Sequence, residues 1–151
     1  RSCDAAPSER SMARSVAHSV AAAAVAAEAA TRGESEVGAA AVTAAAVLQV
    51  KGKLPGVESL HKLVTGKERS IWKDHRGHLG TGFDRLEGYV FYSTLYKKSP
   101  ELIKNEINLP GNKQGYPSTE LDRVFRKIAW QAVIENPLSG VVDSDGDGHG
   151  D

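Results

Sequence analysis

Alanine dominates residues 13–50 of this 151-residue chain, and no other feature limits the fold as strongly. Alanine loses no side-chain entropy on entering a helix. "SMARSVAHSVAAAAVAAEAATR" (11–32) and "SEVGAAAVTAAAVLQVKG" (35–52) are therefore predicted helices. "RGESE" (32–36) supplies the turn between them, with Gly33 inside it. Two such helices joined by a short turn predict an antiparallel hairpin over 13–52, whose small side chains let the backbones approach closely. The rival reading of the same composition is a low-complexity, partly disordered leader. Alanine also buries little area. Hydrophobic residues make up 40% of the chain and only nine residues are aromatic, so the core is expected to be thin or completed by another chain.

Composition changes at Lys51, where alanine becomes rare and lysine, tyrosine and tryptophan appear. In "PGVESLHKLVTG" (55–66), Val57, Leu60, Leu63 and Val64 fall at helical spacing, and a further short helix is predicted through "ERSIWKDH" (68–75). "TGKE" (65–68) reads either as a capping box or as a helix end at Gly66. "HRGHLGTG" (75–82) is a loop, after which Thr81 is the expected cap of a helix bearing Phe83, Leu86, Val90 and Leu95, with Tyr89, Tyr92 and Tyr96 alongside. Ser99, Pro100 and Glu101 form a helix start, with cap, first-turn proline and an acid at the positive end of the dipole. The clearest helix is 118–136, where Leu121, Val124, Phe125, Ile128, Ala132 and Val133 keep the 3.6-residue period until Pro137. Within it, Asp122 and Arg126 can pair across one turn, worth a few tenths of a kcal/mol on a helix surface.

The predicted architecture is all-α. An irregular N-terminus (1–12) precedes the alanine-rich helical hairpin (13–52), a small helical bundle (53–137) and an acidic C-terminal loop (138–151).

Charge narrows the choice of partner. Residues 1–50 hold four basic and five acidic side chains, 51–135 hold fifteen and ten, and the last sixteen hold none and four. The lysines are interleaved with acids, which argues against the dense cationic face that nucleic acid requires. Val16–Ala30 contains His18, Ser19 and Glu28, and Val37–Val50 is only fourteen residues long, so neither is a good membrane span of about twenty apolar residues. Cys3 is the single cysteine, which excludes an internal disulfide and a cysteine-based zinc site. The first residue, Arg1, is the expected sign of processing that removed a targeting peptide.

The chain closes on "VVDSDGDGHGD", with four aspartates and three glycines in the last nine residues. Calcium takes six to eight oxygens at about 2.3–2.6 Å. Aspartates at alternate positions of a turning loop can aim carboxylates at one centre, and glycines between them permit the positive dihedrals that bend the backbone inward. Asp143, Asp145 and Asp147 have that spacing, and Gly148 follows where the chain must turn. The expected ligands are Asp143, Asp145, Asp147, the His149 backbone carbonyl, and Asp151 directly or through water. A plain solubilising tail, the competing reading, has no need of strict alternation with glycine.

"DSDGDGHGD" resembles the D-x-D-x-D-G opening of an EF-hand loop. It is at least as similar to the D-x-D-x-D-G-x-x-D loop of thrombospondin type 3 repeats and related bacterial calcium repeats. The resemblance covers nine residues and implies Ca2+ ligation there. It departs from the EF-hand at loop position twelve, where the bidentate glutamate would fall at residue 154. A full regulatory EF-hand is therefore not expected. Either the affinity is weak, or another chain or loop completes the shell, or the sequence is a fragment.

Other candidates carry less. His75 and His78 are three apart, near Asp74 and Asp84, but Gly77 and Gly80 place them in a loop, where surface histidines are the plain expectation. Nothing in the spacing of Glu58, Glu68 and Glu87 singles them out as acids of a glycosidase-like pair. Trp72, Phe83, Tyr89, Phe91, Tyr92, Tyr96, Phe125 and Trp130 are expected mostly in the core of 55–136. The leading expectation is a non-catalytic, calcium-stabilised structural or interaction subunit of a larger assembly. It would bind other protein chains, not nucleic acid, would have no membrane span, and would lie outside the cytoplasm, where millimolar calcium suits a weak site. The alternative is a small secreted or luminal hydrolase with structural calcium and His75 or His78 in its site.

Overall fold

The computed structural model describes residues 36–104 and 116–151. The irregular N-terminus, Cys3, the first arm of the expected hairpin and the end of the helix expected to start at Ser99 ("PELIKNEIN", 100–108) lie outside the described residues. In chain order the elements are helix α1 (Glu36–Val50), strand β1 (Ser59–His61), helix α2 (Lys62–Thr65), strand β2 (Ser70–Trp72), helix α3 (Asp84–Tyr96), a 3₁₀ turn (Pro100–Leu102), helix α4 (Thr119–Glu135) and a second 3₁₀ turn (Pro137–Ser139).

Among the described residues three helices make the core: α1 packs on α3 and α4, and α3 packs on α4. Ala41, Val42, Ala45 and Ala46 line the inner side of α1 and are essentially inaccessible to solvent. A Schellman end stops the helix: Lys53 N–H donates to Leu48 O (2.8 Å) and Gly52 N–H to Gln49 O (2.8 Å), with Gly52 at φ +67°. The helix of greatest amphipathicity is α4, which buries Leu121, Phe125, Ile128, Ala129, Ala132 and Val133, while Ser118 Oγ caps it by accepting from Leu121 N–H (3.2 Å). Phe83 and Phe125 meet with ring centroids 4.9 Å apart, tilted by 59°.

The all-α expectation needs correction. The chain is mostly helical, but β1 and β2 form a two-stranded parallel sheet in the register Ser59↔Ser70 and His61↔Trp72. Only the four residues of α2 remain of the helix read over 55–66, and its apolar positions divide: Val57 is buried, whereas Leu63 and Val64 are exposed. The helix read through 68–75 is replaced by β2. The physical reason is burial on both faces. Ser70, Ile71 and Trp72 are all buried in succession, which an extended segment can achieve between α-helices and a sheet partner, and which suits a branched and an aromatic side chain. Buried hydroxyls close the sheet, with Ser59 Oγ and Ser70 Oγ 2.8 Å apart. Gly80 then passes so close to β2 that a Cβ there would lie 1.9 Å from Ser70 O, and only glycine allows the contact.

Two boundaries also differ from the sequence reading. Phe83, not Thr81, occupies the N-cap position of α3 and has no side-chain cap. Ser99 Oγ does accept from Glu101 N–H (3.2 Å), but the element it starts is a single 3₁₀ turn ending at Leu102. Of the aromatic group, Trp72, Phe83, Tyr89, Phe125 and Trp130 are buried, whereas Phe91 and Tyr96 are exposed on α3 together with Leu95.

Candidate metal centre

Residues 141–151 form an anchored loop, not a free tail. Val141 is buried. Backbone pairing holds the far arm: Ser99 N–H donates to Gly148 O (2.7 Å), Gly150 N–H to Lys97 O (2.7 Å), and Asp151 N–H to Val142 O (2.8 Å). Lys97 Nζ adds a bond to Asp151 O (2.9 Å). The close fit requires glycine at 148, where φ is +85° and a Cβ would approach Ser99 Cβ to 3.2 Å. The cap and break read at Ser99 and Pro100 thus have a second role, as the ledge on which the acidic loop rests.

Inside this frame the aspartates curl the backbone with their own carboxylates. Asp145 Oδ1 accepts from Asp147 N–H (3.1 Å), and Asp147 Oδ1 accepts from His149 N–H (2.7 Å), which are two successive Asx turns. Asp143 is the hub. Its Oδ1 accepts from Gly146 N–H (2.9 Å), and its Oδ2 from Gly148 N–H (3.2 Å) and from the Trp130 indole (3.2 Å). As a result Asp143, Asp145 and Asp147 each bring a carboxylate oxygen within 4.8 Å of the others, a group that could hold a metal ion. Charges about 5 Å apart repel by about 1 kcal/mol per pair even at water's dielectric constant, so a cation between them relieves a real cost. The donors are hard oxygens, which suit calcium or magnesium better than softer transition metals.

The remaining expected ligands stand differently. Asp151 is outside the three-carboxylate group, and its Oδ2 accepts from Ser144 Oγ (2.5 Å). The His149 ring lies beside Asp147, Nδ1 to Oδ1 3.3 Å. Its backbone carbonyl takes no part in the pairing with 97–99, which uses the Gly148 carbonyl and the Gly150 amide on either side. Trp130 is the contributor that sequence reasoning missed. It sits on α4, thirteen residues from Asp143, and nothing local marks the contact.

Other candidate groups are not brought into this centre. His78 Nδ1 lies 2.6 Å from Asp74 Oδ2 on the turn after β2, and that hydrogen bond holds the Asp74 carboxyl down to about 2 from an ordinary 3.8. His75 is exposed nearby. A cleft of about 310 Å³ beside β2 is lined by residues including Ser70, Trp72 and Asp84, but not by Asp74, His75 or His78. Glu58 is exposed and ion-paired with Lys67 at 3.8 Å, while Glu68 is exposed and Glu87 half-buried. No described helix is long and apolar enough to cross a membrane. No known protein family, curated protein or solved structure matches this chain.

Proposed function

We propose that residues 143–151 bind calcium and that the chain is a non-catalytic, calcium-stabilised structural or interaction subunit of a larger assembly outside the cytoplasm. The observation carrying this reading is the convergence of the Asp143, Asp145 and Asp147 carboxylates in a loop already anchored to the helical core. Asp143, Asp145, Asp147 and the His149 carbonyl would supply oxygens. Asp151 would join through water or after giving up Ser144. A shell this open fits the weak, roughly 10⁻⁴–10⁻³ M affinities of extracellular modules. The interaction role is supported by Phe91, Leu95 and Tyr96, large apolar side chains that α3 leaves 64–70% exposed.

The hydrolase alternative gains the Asp74–His78 pair, but that pair stands on an exposed turn outside the neighbouring cleft, with no nucleophile among the described residues bonded to it. Calorimetric titration with calcium and thermal melting test the main reading. Saturable binding at millimolar calcium and a raised melting temperature are expected, worth about 2.7 kcal/mol when free calcium is a hundredfold above Kd. A flat titration at millimolar calcium refutes it. On gel filtration the assembly role predicts a particle larger than one chain.

A further inference from the structure

The connection from β1 to β2 leaves its two aliphatic side chains in solvent. Leu63 on α2 is 65% exposed and its neighbour Val64 82%. All eight residues from 62 to 69 are exposed. The core draws on the same stretch without them, since Val57 is buried and Leu60 packs against the buried cluster. The turn is nonetheless firmly built. Gly66 N–H donates to Lys62 O (2.7 Å), with Gly66 at φ +69°. Thr65 Oγ1 lies 2.8 Å from Ser59 Oγ and 2.9 Å from His61 O, and Ser70 Oγ donates to Lys67 O (2.9 Å). Hydroxyls at both ends thus hold a turn whose apolar side chains meet only water. We propose that this turn is a membrane-docking tip, which places Leu63 and Val64 at the headgroup boundary of a bilayer carrying anionic lipid.

Charge favours that partner. Residues 62–76 hold five basic side chains, Lys62, Lys67, Arg69, Lys73 and Arg76, against the acids Glu68 and Asp74, in a chain that is neutral as a whole. All five basic residues are exposed. Glu58 offsets part of the excess through its ion pair with Lys67 (3.8 Å). Size argues against a protein partner at this site. Leu63 and Val64 offer about 200 Å² of apolar surface at most, whereas a stable protein interface takes about 800 Å² from each side. Interface cores also favour aromatic residues and arginine, and they are depleted in lysine. A bilayer demands no matching shape, and an apolar anchor beside basic charge is the combination that holds a protein reversibly on anionic lipid. Because the turn is already held, docking requires little further ordering. The inference is independent of the calcium loop.

Co-sedimentation of the full chain with phosphatidylcholine vesicles, with and without about one-third phosphatidylglycerol, tests it. Chelator is present throughout, so calcium bridging through the acidic loop plays no part. We expect binding to the anionic vesicles that weakens several-fold between about 0.1 and 0.5 M salt. Leu63→Ser with Val64→Ser should weaken it at least tenfold, and Lys62→Ala about fivefold. Leu138→Ser, which removes an aliphatic side chain 72% exposed on the second 3₁₀ turn, should leave binding unchanged. These sites are exposed, so the melting temperatures of all variants should match the parent's and separate lost docking from lost folding. Failure to sediment with anionic vesicles overturns the proposal, as does equal binding to the neutral ones. Binding that the double serine variant leaves intact overturns it too, since the contact would then be general attraction to a basic segment without the tip.

Discussion

Asp122 and Asp143 each accept three hydrogen bonds, yet two of the donors to Asp122 are charged, whereas those that reach Asp143 among the described residues are neutral. Asp122 is buried on α4. Its Oδ1 accepts from Arg85 Nη1 (3.2 Å) and the Tyr89 hydroxyl (2.7 Å), and its Oδ2 from Arg126 Nε (2.8 Å). Arg126 goes on to Pro100 O (3.3 Å) and Ile103 O (2.6 Å), tying α4 to the turn that follows α3. Two full positive charges thus face one negative charge. The three donors to Asp143 are all neutral, and two further carboxylates stand beside it. Counting hydrogen bonds makes the two residues look alike. Counting charge separates them, since two guanidiniums face Asp122, whereas only neutral donors reach Asp143, whose acidic group could hold a metal ion.

The sharpest way to break this contrast is Asp122→Ala. It leaves the Arg85 and Arg126 guanidiniums buried without their carboxylate, so we expect a loss of about 3–5 kcal/mol in denaturant unfolding, the same with calcium or with chelator. A loss under about 1 kcal/mol would mean that water already reaches the cluster and screens its charges. The surface estimate of a few tenths of a kcal/mol for Asp122 with Arg126 does not apply, because both side chains are about nine-tenths buried.

That pair shows what a sequence discloses and what it withholds. The i,i+4 spacing of Asp122 and Arg126 was legible, as was the period of α4, because both are local. The burial of the pair was not, because Arg85 and Tyr89 arrive from 37 and 33 residues away. The sheet was hidden for a related reason. Three-residue strands show almost no alternation, and Val57, Leu60, Leu63 and Val64 satisfy a helical template equally well until tertiary packing selects among them. At the loop, the alternating aspartates and the turning Gly148 were legible from spacing alone. The ledge at 97–99 and the indole of Trp130 were not, since each lies on an element whose placement no short-range pattern encodes.

A smaller effect sharpens the loop side. Trp130→Phe keeps an aromatic ring in the core but removes the donor to Asp143 Oδ2. The expected cost is about 1 kcal/mol of stability, and if the indole orients Asp143 for a cation, calcium affinity falls several-fold, read by the same calorimetric titration. Lower stability with unchanged affinity would make Trp130 a packing residue only.

The smallest effect lies on the turn after β2, where a carboxylate is satisfied in a third way, by one exposed histidine and two backbone amides. Asp74 Oδ1 accepts from Arg76 N–H (3.0 Å) and His78 N–H (3.3 Å), and Oδ2 takes the His78 ring. The ring hydrogen bond is the main reason its carboxyl is held down to about 2. A folded pKa below the unfolded one means that the folded state releases its proton more readily, so this contribution is fully present above about 4 and disappears as pH falls toward 2. Carboxyl titration by NMR should place Asp74 near 2 in the parent chain, and His78→Ala should move it upward toward 3.8. An unmoved titration in that variant would transfer the cause to the two amides. It would also remove the histidine–carboxylate pair that the hydrolase alternative needs, because the ring would then impose no preference on the carboxylate it faces.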